Sequence, residues 1–156
     1  MTSGVWMHIT RYTDYSLRVL IYLATNDEQL STISDIAKSY GISKNHLMKI
    51  VQQLNLQGYL LAIRGKNGGI RLDRPANEIN IGRLVRDIEN KSKLVECFGE
   101  ENQCVITPSC QLKRIFAEAQ ESFFKSLDAY TLEDLLGIHR KNQLSELLAI
   151  KSSEIS

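Results

Sequence analysis

Three cysteines, Cys97, Cys104 and Cys110, are the chain's whole complement of thiols, and they fall within fourteen positions of a 156-residue sequence. Their spacing, C-x6-C-x5-C, is neither the C-x2-C pair of zinc fingers nor the tight run of bacterial ferredoxins. Gaps of five and six residues let a loop wrap something wider than one metal ion. An iron–sulfur cluster is such an object, and its irons take soft, deprotonated sulfur. Gly99 and Pro108 shape the loop, and Phe98, Val105 and Ile106 are available to shield the group from water. Three thiolates leave a cluster one ligand short. His8, His46 and His139 all lie outside the loop, so the fourth ligand is oxygen, solvent or a residue from elsewhere. Other states of the thiols stay open: zinc on three cysteines, unligated thiols, or a disulfide with one thiol left over.

The amino-terminal residues carry no secretory signal, and the apolar run LRVLIYLA is interrupted by Arg18 and too short to span a bilayer. That points to the cytoplasm, where reducing conditions disfavour structural disulfides and clustered cysteines indicate metal or redox chemistry. With 43% apolar and 24% charged residues, the composition excludes disordered and membrane classes. No nucleophile–base pair, phosphate loop or paired catalytic carboxylates stand out, so the chain does not read as an enzyme.

A second set of residues offers charge. Between positions 38 and 74 seven basic residues face Asp73 alone, a net of +6, whereas residues 81–156 carry ten basic and twelve acidic side chains. A basic block on a nearly neutral chain suits a polyanion. The elements that would position it are legible. Ile33, Ile36, Ala37 and Tyr40 fit a short helix opened by Ser31 or Thr32 and closed by Gly41. Ser43 caps a second, with Leu47, Ile50, Val51 and Leu54 on one face. Two helices about a glycine turn form a helix-turn-helix. GYLLAI and GIRL flank Asn67-Gly68-Gly69, whose residues tolerate positive φ, so they predict a β-hairpin, a wing. If the second helix enters a major groove, Ser43, Lys44, Asn45, His46 and Lys49 meet base edges or phosphate, Asn45 suiting adenine. Arg64, Lys66 and Asn67 on the wing suit phosphate or the minor groove.

The remaining elements follow by periodicity. A helix is predicted at about 13–26, capped by Thr13, another near 81–88, and a long one from about Pro108 with a stripe of Leu112, Ile115, Phe116, Ala119, Phe123 and Leu127. That stripe suits pairing with a second copy, and a homodimer matches two operator half-sites. The expected fold is mainly α with a small β-hairpin, a winged helix-turn-helix plus a long dimerisation helix. The expected organisation is a DNA-binding region at 1–79, a connecting helix and cysteine loop at 80–111, a dimerisation helix at 112–136 and a polar tail at 137–156.

The segments MHITRYTDYSLRVLIYLA, ISKNHLMKIVQQLNLQGYLLAIRGKNGGIRL, CVITPSCQL and LDAYTLEDLL resemble the family of winged-helix iron–sulfur regulators, over roughly residues 7–136. The likeness is to the nitric-oxide-sensitive repressor branch. It implies a homodimer that binds double-stranded operator DNA, with one iron–sulfur cluster per subunit, of the 4Fe–4S type, on Cys97, Cys104 and Cys110. It also implies a fourth ligand from the partner subunit at the position of Asp14, with nitric oxide as the signal that releases DNA. Asp14 lies four residues before Arg18, and a carboxylate displaced from the cluster has Arg18 as its switch partner. In the cluster-assembly branch a histidine three residues after the last cysteine ligates instead; here that residue is Lys113. A regulator of iron–sulfur or redox status, and a zinc-stabilised protein-binding adaptor, are the alternative readings.

Overall fold

A computed structural model describes residues 9–89 and 103–150. The chain divides into two compact units, Met1–Ile79 with Thr131–Ser156, and Asn80–Tyr130.

The first unit opens with α1 (Arg11–Thr25), capped by Thr10, whose Oγ1 accepts from Thr13 N–H at 3.3 Å. The predicted cap, Thr13, is instead fully buried inside the first turn. Helix α1 is the core element: Thr13, Ser16, Val19, Leu20, Tyr22, Leu23 and Ala24 are all buried. Helix α2 (Ile33–Tyr40) opens with a capping box between Thr32 and Asp35, satisfying two otherwise unpaired backbone donors. Gly41 closes it at φ 65°, the left-handed position glycine takes without strain. Helix α3 (Lys44–Leu56) buries Leu47, Ile50, Val51 and Leu54 against α1 and α2.

The wing is an antiparallel hairpin of β1 (Leu60–Ile63) and β2 (Gly69–Leu72), with Leu60 opposite Leu72 and Ile63 opposite Gly69. Its turn reaches positive φ at Gly65 (110°), not at the expected Asn67-Gly68-Gly69. Ser31 adds a bridge to Ile70 through paired backbone bonds of 3.0 and 2.7 Å, anchoring the hairpin to the segment just before the Thr32 cap of α2.

The chain returns to this unit at Leu132, whose N–H donates to Ile79 O at 2.8 Å; both side chains are fully buried. Residues 138–147, expected to belong to a polar tail, form α6 (Ile138–Leu147), which packs on α1. Lys141 pairs with Asp27 at 2.8 Å, and Ser39 Oγ donates to Leu148 O at 2.7 Å.

In the second unit α4 (Ile81–Glu89) packs along α5 (Leu112–Asp128). The Arg86 guanidinium reaches Asp128 and Glu121 and lies over the Phe124 ring, 5.0 Å from its centroid. Helix α5 starts at Leu112 rather than near Pro108, because residues 107–109 turn as a 3-10 helix. No residue of α5 is fully buried; of its predicted apolar stripe, Phe116, Phe123 and Leu127 are half-buried, whereas Leu112, Ile115 and Ala119 are exposed. None of the described helices is long and apolar enough to cross a membrane.

Candidate functional site

The exposed side of α3 follows from its buried side. With Leu47, Ile50, Val51 and Leu54 inward, Ser43, Lys44, Asn45, His46 and Lys49 are all exposed, as the sequence predicts for base- and phosphate-reaching positions. Ser43 occupies the N-cap position, but its hydroxyl makes no capping bond, contrary to expectation. The first N–H groups of α3 therefore keep their capacity to bind an anion such as phosphate. The helix carries no acidic side chain. On the wing Arg64, Lys66 and Asn67 are likewise exposed. Asn55 fixes the wing to α3: its Oδ1 accepts from Ala62 N–H at 3.3 Å. Arg74, part of the basic block by sequence, is committed to structure. Its Nε donates to Gly58 O at 2.9 Å, and its guanidinium lies 5.2 Å from the Tyr59 ring centroid.

Asp14 and Arg18 meet on the first two turns of α1. Arg18 Nε donates to Asp14 Oδ1 at 3.2 Å and Nη2 to Oδ2 at 3.0 Å, a two-point grip in which both carboxylate oxygens are engaged. The pair is half-exposed beside a shallow concavity lined by Ile9, Arg11, Tyr15 and Leu17. Arg18 also lies over two rings, 5.5 Å from the centroid of Tyr15 and 5.8 Å from that of Tyr40. Tyr40 O–H donates to Arg18 O at 3.0 Å. Burial pushes the Tyr40 phenol up to about 12, against the lowering influence of Arg18. The Asp14–Arg18 spacing was legible in sequence, and Tyr15 three residues before Arg18 could have been found the same way. Tyr40 could not, because its contact is tertiary.

Of the predicted thiol ligands, Cys104 is exposed and Cys110 half-exposed, on irregular backbone either side of the turn at Thr107–Ser109. No disulfide joins them. Cys97 lies outside the described residues, as do Phe98 and Gly99. Val105 and Ile106, expected to shield a bound group, are 91% and 61% exposed. Among the described residues no three histidine, cysteine, aspartate or glutamate side chains gather into a metal cage. The chemistry of the donor set fits an iron–sulfur group: accessible thiols on backbone free of helix or strand constraints, with no competing disulfide at Cys104 or Cys110.

Known transcriptional regulators are similar to this chain in sequence and in fold. The family model Rrf2, described as an iron-dependent transcriptional regulator, matches residues 9–137. The HTH-type transcriptional regulator NsrR of Bacillus licheniformis is 52% identical over 132 residues, covering 83% of this chain and 92% of that protein. NsrR of Oceanobacillus iheyensis is 48% identical over 150 residues, 95% of this chain and 99% of that one. Among solved structures, T. potens IscR superposes with a TM-score of 0.68 at 23% identity, over 88% of this chain and 92% of its own. CymR, the global cysteine regulator of B. subtilis, does so with a TM-score of 0.64 at 27% identity, over 83% and 95%.

Proposed function

The chain belongs to the Rrf2 family of transcriptional regulators, and from that premise we propose that it is a cytoplasmic, homodimeric repressor that senses nitric oxide through an iron–sulfur cluster. Cys97, Cys104 and Cys110 would hold the cluster, a 4Fe–4S group in each subunit, with Asp14 of the partner subunit as the fourth ligand. When bound, the cluster supplies an iron whose oxygen ligand is easily exchanged and is therefore open to nitric oxide. Everything else in the proposal concerns the chain's own side chains.

The observation that carries the reading is the two-point Asp14–Arg18 pair. A carboxylate gripped through both oxygens is drained of basicity and held in the geometry of its own helix, so pairing with Arg18 would compete with ligation in the partner subunit. The pair sits where a change can be felt. Arg18 lies against Tyr40, the last residue of α2, and Gly41 then turns the chain into α3. Moving Asp14 between two partners biases this corner, and operator affinity changes by the free energy that separates the two arrangements, about 1.4 kcal/mol per tenfold. The exposed apolar side of α5, with Leu112 and Ile115 about half exposed, supports a second copy as its cover. Ser43, Lys44, Asn45, His46 and Lys49 would read the groove, and Arg64, Lys66 and Asn67 would hold the backbone.

The test is anaerobic purification followed by gel shifts on candidate operators, with and without nitric oxide. Protein that absorbs near ~400 nm, contains iron and sulfide, and releases DNA on exposure supports the reading. Colourless protein with stoichiometric zinc refutes it in favour of an adaptor. An Asp14→Ala variant with unchanged absorbance, nitric oxide response and DNA binding removes Asp14 from the mechanism.

A further inference from the structure

We infer that Gln52 is a second base-reading side chain on α3, gripping an adenine edge about three base pairs from the base that Asn45 meets. The inference rests on the operator-binding reading above and adds a specificity position to it.

Residues 45, 49, 52 and 56 are spaced four, three and four apart, the steps that stack side chains on one helix face. That stripe lies opposite the buried Leu47, Ile50, Val51 and Leu54, and all four of its members are exposed. Helix α3 and the residue after it carry five carboxamides: Asn45, Gln52, Gln53, Asn55 and Gln57. Asn55 is engaged by Ala62 N–H at the base of the wing. Gln57 has its Oε1 buried. Gln53 falls on the flank, one step round from the stripe. Asn45 and Gln52 therefore remain on the outward line, with Lys49 between them.

A carboxamide presents an N–H donor and a carbonyl acceptor side by side, matching the N6 donor and N7 acceptor of adenine. Seven residues of helix advance about 10 Å, close to three base-pair steps of about 3.4 Å. Lys49, between them, would reach guanine or phosphate. With no acidic residue on α3, nothing on the stripe repels the duplex. Gln52 has no packing role to lose, and alanine is the better helix former, so Gln52→Ala keeps the fold.

The experiment is selection of bound sequences from a random duplex pool, using full-length, anaerobically prepared wild type, Gln52→Ala and Gln53→Ala. Wild type should enrich adenine at two positions about three apart. Gln52→Ala should lose discrimination at one of them by about fivefold or more. Its affinity for unrelated duplex, and the salt dependence of that affinity, should not change. Gln53→Ala should keep the full profile. A Gln52→Ala profile identical to wild type overturns the assignment, as does equal weakening on every duplex, which would mark a backbone contact. If wild type itself enriches no sequence, the operator-binding reading falls together with this one.

Discussion

Arg18 should contribute more to stability through its two aromatic contacts than through Asp14, and a double-mutant cycle can separate the two. The Asp14–Arg18 pair is an i,i+4 contact whose side chains are 48% and 41% exposed. Such pairs are worth about 0.5 kcal/mol, reduced further by salt. The guanidinium also lies within 6 Å of two rings, at 5.5 and 5.8 Å, and each exposed contact of this kind contributes ~0.5–1 kcal/mol. Arg18→Ala should therefore cost roughly 1.5–2.5 kcal/mol in urea unfolding of the iron-free protein. The Asp14→Ala/Arg18→Ala cycle should return a coupling below about 1 kcal/mol, falling as salt is raised. On the proposed ligand role for Asp14, the small value is what would matter. At about 0.5 kcal/mol the pair is open in roughly a third of molecules, leaving the carboxylate available to another partner at little cost. A salt-independent coupling above about 2 kcal/mol would refute this reasoning, because Asp14 would then be locked to its own helix.

Three further outcomes are expected. Gly82→Ala should destabilise the protein by about 1 kcal/mol or more in chemical denaturation. The new methyl would collide with the Asp128 carboxylate and lie 2.7 Å from Asp128 N, so overpacking outweighs the helix-propensity gain of about 1 kcal/mol; a more stable variant would show that α4 and α5 relax freely. Tyr40→Phe should flatten the alkaline fall in stability: the unfolded phenol ionises near 10 and the folded one near 12, so the Tyr40 contribution is intact below pH 10 and lost between those values. Burial raises Tyr12 and Tyr22 as well, so a residual slope should remain in urea midpoints measured across that range. Lys66→Ala should weaken binding to all duplexes alike and lower the salt slope by about one, whereas loss of discrimination at a single base pair would contradict a phosphate role.

The helix-turn-helix was legible because its information is local: apolar spacing sets the buried faces of α2 and α3, and Gly41 marks the turn by a backbone requirement. Boundaries set by competing local chemistry were less so. Thr10 and Thr13 are both capable caps three residues apart, and burial of Thr13 in the packed first turn decides between them. In the wing, Gly65, Gly68 and Gly69 could each take positive φ, and the pairing of Ile63 with Gly69 decides that Gly65 does. Helix α6 was missed because its support is tertiary, from Asp27 and Ser39, more than a hundred residues earlier. At the site, sequence nominated candidate donors by type and spacing. It could not show that Tyr40 closes on Arg18, because a contact across 22 positions leaves no local pattern.

A carboxylate at position 14 has a property that a fourth cysteine would lack. A thiolate is a strong, soft iron ligand with no fork-shaped partner of its own, so losing the metal would leave it nowhere definite to go. A carboxylate is a harder donor, held less firmly by iron, and its two oxygens match the two N–H vectors of Arg18. On the proposed ligand role it would therefore have two discrete destinations, the partner subunit's iron and Arg18, which is what a two-state element requires. Arg18 carries the choice inward. Its backbone carbonyl accepts from Tyr40 and its guanidinium lies against the Tyr40 ring, and only Gly41 and Ile42 separate Tyr40 from Ser43 at the head of α3. Small shifts at a packed corner of this kind are not absorbed by slack, because the side chains of α1 and α3 behind it are fully buried and close-packed. On that proposal the weakness of the ion pair and the rigidity of its surroundings would be complementary: the first would let the partner change, and the second would transmit that change to α3.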